Sequence, residues 1–187
     1  QVNISHDDRE NVLATLEGRP GAQALGSGLF DEALIQVENM LVLGPFPRFA
    51  ESTVKNVENS WRMVVDRFSF EDAGASFYSE LFNIAPEVEV LFKRTNRRQE
   101  EMLMGIVDTA VRLLSNLQEL LPVLIQVGLR HNAYKVKAEH FPYVGDALMA
   151  TLTVALGERF TPEIRQSWTV AYALMSNIMV SIFPHES

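Results

Sequence analysis

Apolar side chains recur every three to four positions along most of this chain, which is the period of an amphipathic α-helix. From about Thr53 onward this period continues to the end of the chain, and no stretch alternates as a strand would. Seven successive helical segments can be read from it, the third of them short. The pattern predicts an all-α domain with short connections between its helices.

Residues that start and stop helices agree with this division. Ser69 followed by Asp72 predicts the N-terminal cap of the second helix. Pro86 is suited to the first turn of the third helix, and Gly157 to the end of the sixth. Thr161, with a proline directly after it, predicts the cap of the last helix. The helix boundaries are therefore predicted from local signals alone.

The N-terminal part of the chain has a different pattern. Residues 1–28 are polar and interrupted by several glycines and a proline, whereas residues 29–43 carry one apolar helical stripe. The sequence Gly-Pro-Phe-Pro at 44–47 is expected to end that helix. We therefore predict an N-terminal extension over residues 1–50, containing one amphipathic helix, and a main domain over residues 51–187.

Composition narrows the classes of function. The chain has 187 residues, 47% of them hydrophobic, which is enough for one sizeable core. Its net charge of −8 argues against nucleic acid as the partner, and the absence of cysteine excludes disulfides and thiol catalysis. No apolar run reaches the length of a membrane span. We expect no membrane partner, and a cytoplasmic location is the default.

A lone histidine, His131, lies late in a long apolar helical run. One interpretation is an ordinary core histidine whose ring nitrogens are satisfied by hydrogen bonds. The other is an axial ligand for haem iron, which requires one neutral imidazole on an apolar wall. The local sequence leaves both interpretations open, and the surrounding segments have to decide between them.

Several segments, taken in order, resemble a globin. They are Trp61, residues 77–82, 85–87 and 91–92, the run from Asn116 to His131 with Val136, residues 141–145, and residues 160–162 with Trp168 and Tyr172. Their order and spacing resemble the single-domain bacterial haemoglobins and the haem domains of flavohaemoglobins, and the last helix is also similar to that of neuroglobin. The resemblance covers roughly residues 53–184. It implies a globin fold, a three-over-three helical sandwich around a haem b.

The resemblance makes His131 the proximal iron ligand. Val127, four residues earlier, would lie on the same helix face, and its carbonyl would accept the other ring N–H. An apolar wall beside the histidine would be formed by Val127, Val136, Phe141 and Val144. Phe92 matches the phenylalanine that packs against the haem in globins, although its local sequence is equally compatible with an ordinary core residue.

The opposite, distal side is assigned in the same way. Gln99 precedes His131 by the spacing of the distal position in bacterial haemoglobins, and Tyr78 matches their second-helix tyrosine. Leu103 would lie over the iron, and Val107, one turn further along the same helix, would also contact the haem. The tyrosine hydroxyl and the glutamine amide can both donate to bound O2, which carries partial negative charge. The alternatives are a solvent-facing Gln99 and a half-buried core tyrosine at Tyr78.

Histidine is absent between His6 and His131. The distal helix therefore cannot supply a second imidazole, and we expect no bis-histidine ligation unless His6 from the extension approaches the iron. We expect a ferrous iron that is five-coordinate, or six-coordinate only through a weak ligand. His140 and His185 fall outside the expected pocket, and we expect both to be surface residues.

A short basic stretch precedes Gln99. Its arginines, Arg94, Arg97 or Arg98, could pair with the haem propionates, and Arg98 is our candidate. The alternative is that the stretch is a solvated helix start. The connection from Phe92 to Gln99 is shorter than in typical bacterial haemoglobins, and this departure affects the local geometry on the distal side.

Three functions are compatible with these assignments. The first is reversible binding of O2, together with NO and CO, for storage, transport or sensing. The second is nitric oxide dioxygenase activity, which Tyr78 and Gln99 favour. Phe141 and Phe183 oppose it, since they stand where flavohaemoglobins usually place a tyrosine and a glutamate, and this activity would need a separate reductase because no Gly-rich phosphate loop is present.

The third is a signalling module in which the N-terminal extension couples the haem to a partner. The apolar stripe of the extension needs a hydrophobic surface to pack against. We expect that surface to be either the main domain or a second copy of the chain in a homodimer.

Overall fold

The computed structural model of the protein describes residues 46–92 and 97–183. Over these ranges the chain forms six α-helices: α1 (Phe46–Val65), α2 (Phe70–Ile84), α3 (Arg97–Leu113), α4 (Leu117–Ala133), α5 (Phe141–Leu156) and α6 (Pro162–Ser181). Short 3₁₀ turns are added at Pro86–Leu91, Ala138–His140 and Gly157–Arg159. The described part of the chain contains no strand, so the all-α prediction is confirmed. None of these helices is both long and apolar enough to cross a bilayer.

The predicted helix caps are present. The Ser69 hydroxyl accepts the backbone N–H of Asp72 at 3.0 Å, and the Thr161 hydroxyl accepts that of Ile164 at 3.4 Å. Each cap satisfies a backbone donor that has no partner within the helix. The cap residues predicted from the sequence therefore begin α2 and α6 as expected.

The first helix begins earlier than expected, at Phe46 rather than near Thr53. Pro47 is tolerated there because a backbone N–H in the first helical turn has no intrahelical acceptor in any case. The predicted boundary at residue 50 thus falls inside α1. The amphipathic helix predicted for residues 29–43 lies outside the described residues.

The helices form two layers, with α1, α3 and α4 packed on α2, α5 and α6. Between the layers α2 contacts α3, and α6 contacts both α1 and α4. Two tryptophans join α1 to α6: the rings of Trp61 and Trp168 meet edge to face, with centroids 6.0 Å apart. Their indole N–H groups donate to Asp108 and to Ser60, each at 2.9 Å, so neither buried donor is unsatisfied. The layers enclose one continuous core.

Helices α2 and α3 cross with their backbones in contact at Gly74. A Cβ atom added to Gly74 would lie 2.6 Å from the carbonyl oxygen of Glu100, closer than real Cβ contacts allow. Only glycine therefore permits this crossing. Tyr78 lies one turn after Gly74 on α2, and Gln99 precedes Glu100 on α3, so the crossing sets the separation of the two expected distal residues.

Candidate functional site

His131 lies in the last turn of α4, and its ring is half-buried. Its Nδ1 is 2.8 Å from the carbonyl oxygen of Val127, the bond expected from the four-residue spacing. Because a carbonyl can only accept, Nδ1 carries the proton in this bond, and Nε2 has the lone pair. This is the tautomer in which a neutral imidazole binds a metal through Nε2.

Helix α4 ends at Ala133, two residues after His131, in a Schellman motif. The N–H of Val136 donates to the His131 carbonyl at 3.0 Å, and the N–H of Lys135 donates to the Asn132 carbonyl at 2.9 Å. Lys135 has a φ of +60°, the left-handed conformation in which glycine is favoured. The motif holds the backbone on the C-terminal side of His131, while the Val127 bond holds its ring.

An aromatic pair lies beside the histidine. The ring centroid of Phe141, the first residue of α5, is 5.8 Å from that of His131, with the ring planes 35° apart. The ring of Phe183 is in turn 5.8 Å from that of Phe141. Neither ring can accept a hydrogen bond from an N–H in the way a carboxylate can. The His131 ring donates to the Val127 carbonyl.

Tyr78 on α2 and Gln99 on α3 are brought together. Tyr78 is only 6% exposed, and its hydroxyl is hydrogen-bonded to the Gln99 side chain. Burial, together with the charge of Glu100, raises the pKa of Tyr78 to about 12, and the Gln99 bond opposes that rise in part. The phenol is therefore protonated at neutral pH. Gln99 is half-buried, so it does not simply face solvent.

Phe92 belongs to an aromatic cluster around Tyr78. Its ring meets that of Tyr78 at a centroid distance of 5.3 Å and that of Phe82 at 5.6 Å, both edge to face. The ring of Phe77 contacts Tyr78 as well, at 5.5 Å. The cluster fixes the tyrosine ring on three sides and leaves its hydroxyl directed to Gln99.

The remaining apolar candidates share one property: they are only half-buried. They are Phe92, Leu103, Val107, Val127 and Val136. Core residues of the same helices, such as Met104 and Ile125, are almost completely buried. Partly exposed apolar side chains are available for contact with an apolar ligand.

Charged and polar candidates around the site are placed differently from one another. Arg97 makes ion pairs with Glu71 at 2.6 Å and with Glu101 at 3.5 Å, whereas Arg98 is exposed. Arg94, His6 and His185 lie outside the described residues. His140 is half-buried and keeps contact with solvent: its Nδ1 accepts the backbone N–H of Lys137 at 3.2 Å in an exposed bond.

One contact next to the site could not be predicted from the sequence. The hydroxyl of Tyr172 on α6 donates to the backbone carbonyl of Phe141 at 2.6 Å. The resemblance includes Tyr172, but a backbone acceptor has no signature in residue type. Only the packing of α5 against α6 brings these two residues together.

Comparison with known proteins identifies the fold and its relatives. The family model for Globin matches residues 75–179. The chain is 29% identical over 109 residues to a flavohemoprotein of Bacillus subtilis and 33% identical over 109 residues to one of Bacillus thuringiensis. Each match covers 57% of this chain but only 27% of the relative. The chain thus spans about a quarter of the length of these relatives.

A solved structure shows the same fold. It is the crystal structure of a hexacoordinated heme protein from an anhydrobiotic tardigrade, with a TM-score of 0.64 and 20% sequence identity. The match covers 73% of this chain and 97% of that one. At this identity the likeness concerns the fold, and the three-over-three arrangement of helices described above agrees with it.

Proposed function

This chain belongs to the globin family, and we propose that it holds haem b through His131 and binds O2 reversibly on the side of Tyr78 and Gln99. The observation that carries the proposal is the bond between His131 and Val127, at 2.8 Å, which leaves Nε2 of a neutral imidazole for the iron. Haem itself follows from the family; the type of haem, its ligand residue and the gas are the proposal.

The residues around His131 suit a large, planar and mostly apolar group. Such a group needs apolar walls and one nitrogen ligand rather than a cluster of charged side chains. The half-buried side chains of Leu103, Val107, Val127 and Val136 would supply those walls from α3, α4 and the segment after α4. Arg98 is the candidate for a propionate, because Arg97 is already paired with Glu71. The residues present therefore fit haem.

The bound haem supplies an iron coordination position for a diatomic gas. Tyr78 and Gln99 together offer one O–H and two N–H donors, and the bond between them uses one of these. Donors therefore remain for a gas molecule with partial negative charge, and their positions are set in advance by the aromatic cluster. NO and CO fit the same position, although CO gains less from hydrogen-bond donors because it carries less charge.

A second protein ligand to the iron is not expected from this chain. The structural neighbour is described as hexacoordinated, whereas the sequence here has no histidine between His6 and His131. We propose a five-coordinate ferrous state with an open distal position.

Nitric oxide dioxygenase activity is the second candidate, because the curated relatives are flavohemoproteins. Their match to this chain is confined to about a quarter of their length, so this activity would need electrons from a reductase that the matched residues do not include. The contact of Phe141 with both His131 and Phe183 argues for gas binding instead. A histidine whose ring N–H meets only a neutral carbonyl is polarised less than one bonded to a carboxylate.

A visible absorption spectrum of the haem-reconstituted chain tests the proposal. We expect a single broad band in the dithionite-reduced protein that sharpens on addition of CO. His131→Ala should lose stable haem retention or regain it only with added imidazole, and His140→Ala is the matched control. Sharp split bands without CO would contradict the open distal position. Unchanged spectra in His131→Ala would overturn the ligand assignment.

Turnover of NO separates the two candidates. We expect aerobic NO consumption to stop after one equivalent of oxygenated protein when no reductase is present, and to stay slow with an added flavin reductase. Sustained rapid consumption with that reductase would favour the dioxygenase.

A further inference from the structure

Tyr172 forms a part-buried hydrogen bond to Phe141, the residue whose ring lies beside His131. Its hydroxyl donates to the Phe141 carbonyl at 2.6 Å, across the packing of α6 on α5. Burial, and to a lesser extent the charge of Asp146, raises the pKa of Tyr172 well above its usual value. The hydroxyl is therefore a permanent donor at any pH at which the protein works.

The Tyr172 ring is fixed from a second direction as well. A Cβ added to Gly145, one turn after Phe141 on α5, would lie 2.7 Å from Cε1 of the tyrosine ring. The ring therefore packs directly on the bare backbone of α5. With its hydroxyl bonded at Phe141 and its edge against Gly145, the side chain ties the first turn of α5 to α6.

The residue held in this way, Phe141, contacts the histidine. Its ring lies 5.8 Å from the His131 ring, and Phe183 packs on its other side. The Val127 bond fixes which nitrogen of His131 is protonated. A single hydrogen bond still tolerates a range of ring rotation about the Cβ–Cγ bond of His131. Contact with Phe141 limits that rotation.

We propose that Tyr172 is a positioning residue for the iron ligand: its hydrogen bond fixes Phe141, and Phe141 fixes the rotational orientation of the His131 imidazole. The proposal rests on the proposed function, since it assigns Tyr172 a role toward a His131 that binds haem iron. It goes further, because the orientation of the ligand is assigned to a side chain on another helix that touches neither the histidine nor the cofactor.

The consequence is a single imidazole orientation in the loaded protein. Without the hydrogen bond from Tyr172 to Phe141, we expect the rings of Phe141 and His131 to sample several orientations. The strength of the bond between Nε2 and a bound iron would then vary from molecule to molecule. A purely structural role for Tyr172 would lower stability without this change, since stability reports the fold as a whole.

Tyr172→Phe removes the hydroxyl and keeps the ring. By resonance Raman spectroscopy of the reduced protein, we expect the iron–histidine stretching band to broaden and shift. Haem transfer to excess apomyoglobin should be roughly twofold to tenfold faster, the range for loss of one hydrogen bond. Tyr143→Phe, which removes a hydroxyl from α5 without touching this bond, should match the wild type in both measurements.

Gly145→Ala supplies a second route to the same displacement. It keeps the hydroxyl but pushes the Tyr172 ring away from α5, and it should reproduce the broadened band. Wild-type band shape and transfer rate in Tyr172→Phe would overturn the proposal, whatever its effect on unfolding.

The haem-free chain separates this inference from the proposed function. If the wild type takes up no haem, the proposed function fails. Ring ¹⁵N NMR of His131 then tests only whether the hydrogen bond from Tyr172 to Phe141 restrains the histidine. We expect one sharp protonated Nδ1 signal in the wild-type apoprotein and a broadened signal in Tyr172→Phe. Identical signals in the two apoproteins would show that Tyr172 does not constrain His131.

Discussion

The side chains of Tyr78 and Gln99 are hydrogen-bonded to each other across the crossing of α2 and α3. The resemblance assigns each of them to the distal side on separate grounds. Tyr78 matches the second-helix tyrosine of bacterial haemoglobins, and Gln99 has the expected spacing to His131. The bond makes them a unit, because the position of either polar group depends on the other. Two groups coupled in this way are not expected to contribute additively.

Removing one member of this pair should speed O2 release. We expect roughly fivefold to thirtyfold faster release in Tyr78→Phe and in Gln99→Leu, since one hydrogen bond to a charged acceptor is worth about 1–2 kcal/mol. Stopped-flow displacement of O2 by CO measures the rates. Tyr134→Phe, at a tyrosine that is 71% exposed, is the control. Unchanged rates in both variants would place the pair outside the ligand site.

The double variant Tyr78→Phe/Gln99→Leu tests the coupling. We expect the fold-increase in its O2 release rate to be clearly smaller than the product of the fold-increases in the two single variants. The second change removes a group that has already lost its partner. A multiplicative result would mean that the two groups act on the ligand independently.

The crossing at Gly74 should be intolerant of any side chain. Gly74→Ala forces the backbone of Glu100 to move, so we expect a loss of about 1–3 kcal/mol in the free energy of unfolding and faster O2 release. Gly105→Ala on α3 is the matched control, because its added Cβ meets nothing within 4 Å. At a helix position with open space around it, that change should stabilise the fold by about 0.5–1 kcal/mol. Equal effects of the two substitutions, by urea unfolding, would contradict the close crossing.

The protonated phenol of Tyr78 should affect stability only at high pH. Its pKa is about 12 in the folded chain, against about 10 for an unperturbed tyrosine. The neutral form is thus favoured by folding, and this contribution is complete below about pH 10 and is lost as the pH rises through about 12. We expect O2 release to be independent of tyrosine ionisation up to about pH 10.

The difference between wild type and Tyr78→Phe isolates this contribution. Tyr172 also has a raised pKa, and it contributes with the same sign in both proteins. The stability of the wild type should therefore fall more steeply than that of the variant above about pH 10 in urea titrations. Parallel curves would mean that the Tyr78 phenol ionises normally.

The left-handed residue after α4 is a site where glycine should stabilise the fold. Lys135→Gly relieves the φ of +60° and should add about 1 kcal/mol to the free energy of unfolding. Lys137→Gly, at an ordinary φ of −99°, should instead lower it. Destabilisation by both substitutions, measured by thermal or urea unfolding, would argue that the Lys135 side chain makes stabilising contacts.

Local sequence signals determined the helices and the candidate ligand. A period of three to four residues reports one helix face, and caps such as Ser69 and Thr161 act within a single turn, so neither depends on the rest of the fold. The bond of His131 to Val127 could be predicted for the same reason, since both residues lie one turn apart on one helix. The absence of histidine between His6 and His131 is likewise a property of the sequence alone.

Tertiary structure decided how these helices meet. The pairing of Tyr78 with Gln99 depends on a backbone crossing that only Gly74 allows, and a glycine in a helix does not by itself show which backbone approaches it. Arg97 could not be separated from its neighbouring arginines until α2 placed Glu71 beside it. Tyr172 donates to a main-chain carbonyl, a group that every residue possesses, so no residue type marks its acceptor. The sequence therefore determines which groups are available, and the packing of the helices determines which of them come into contact.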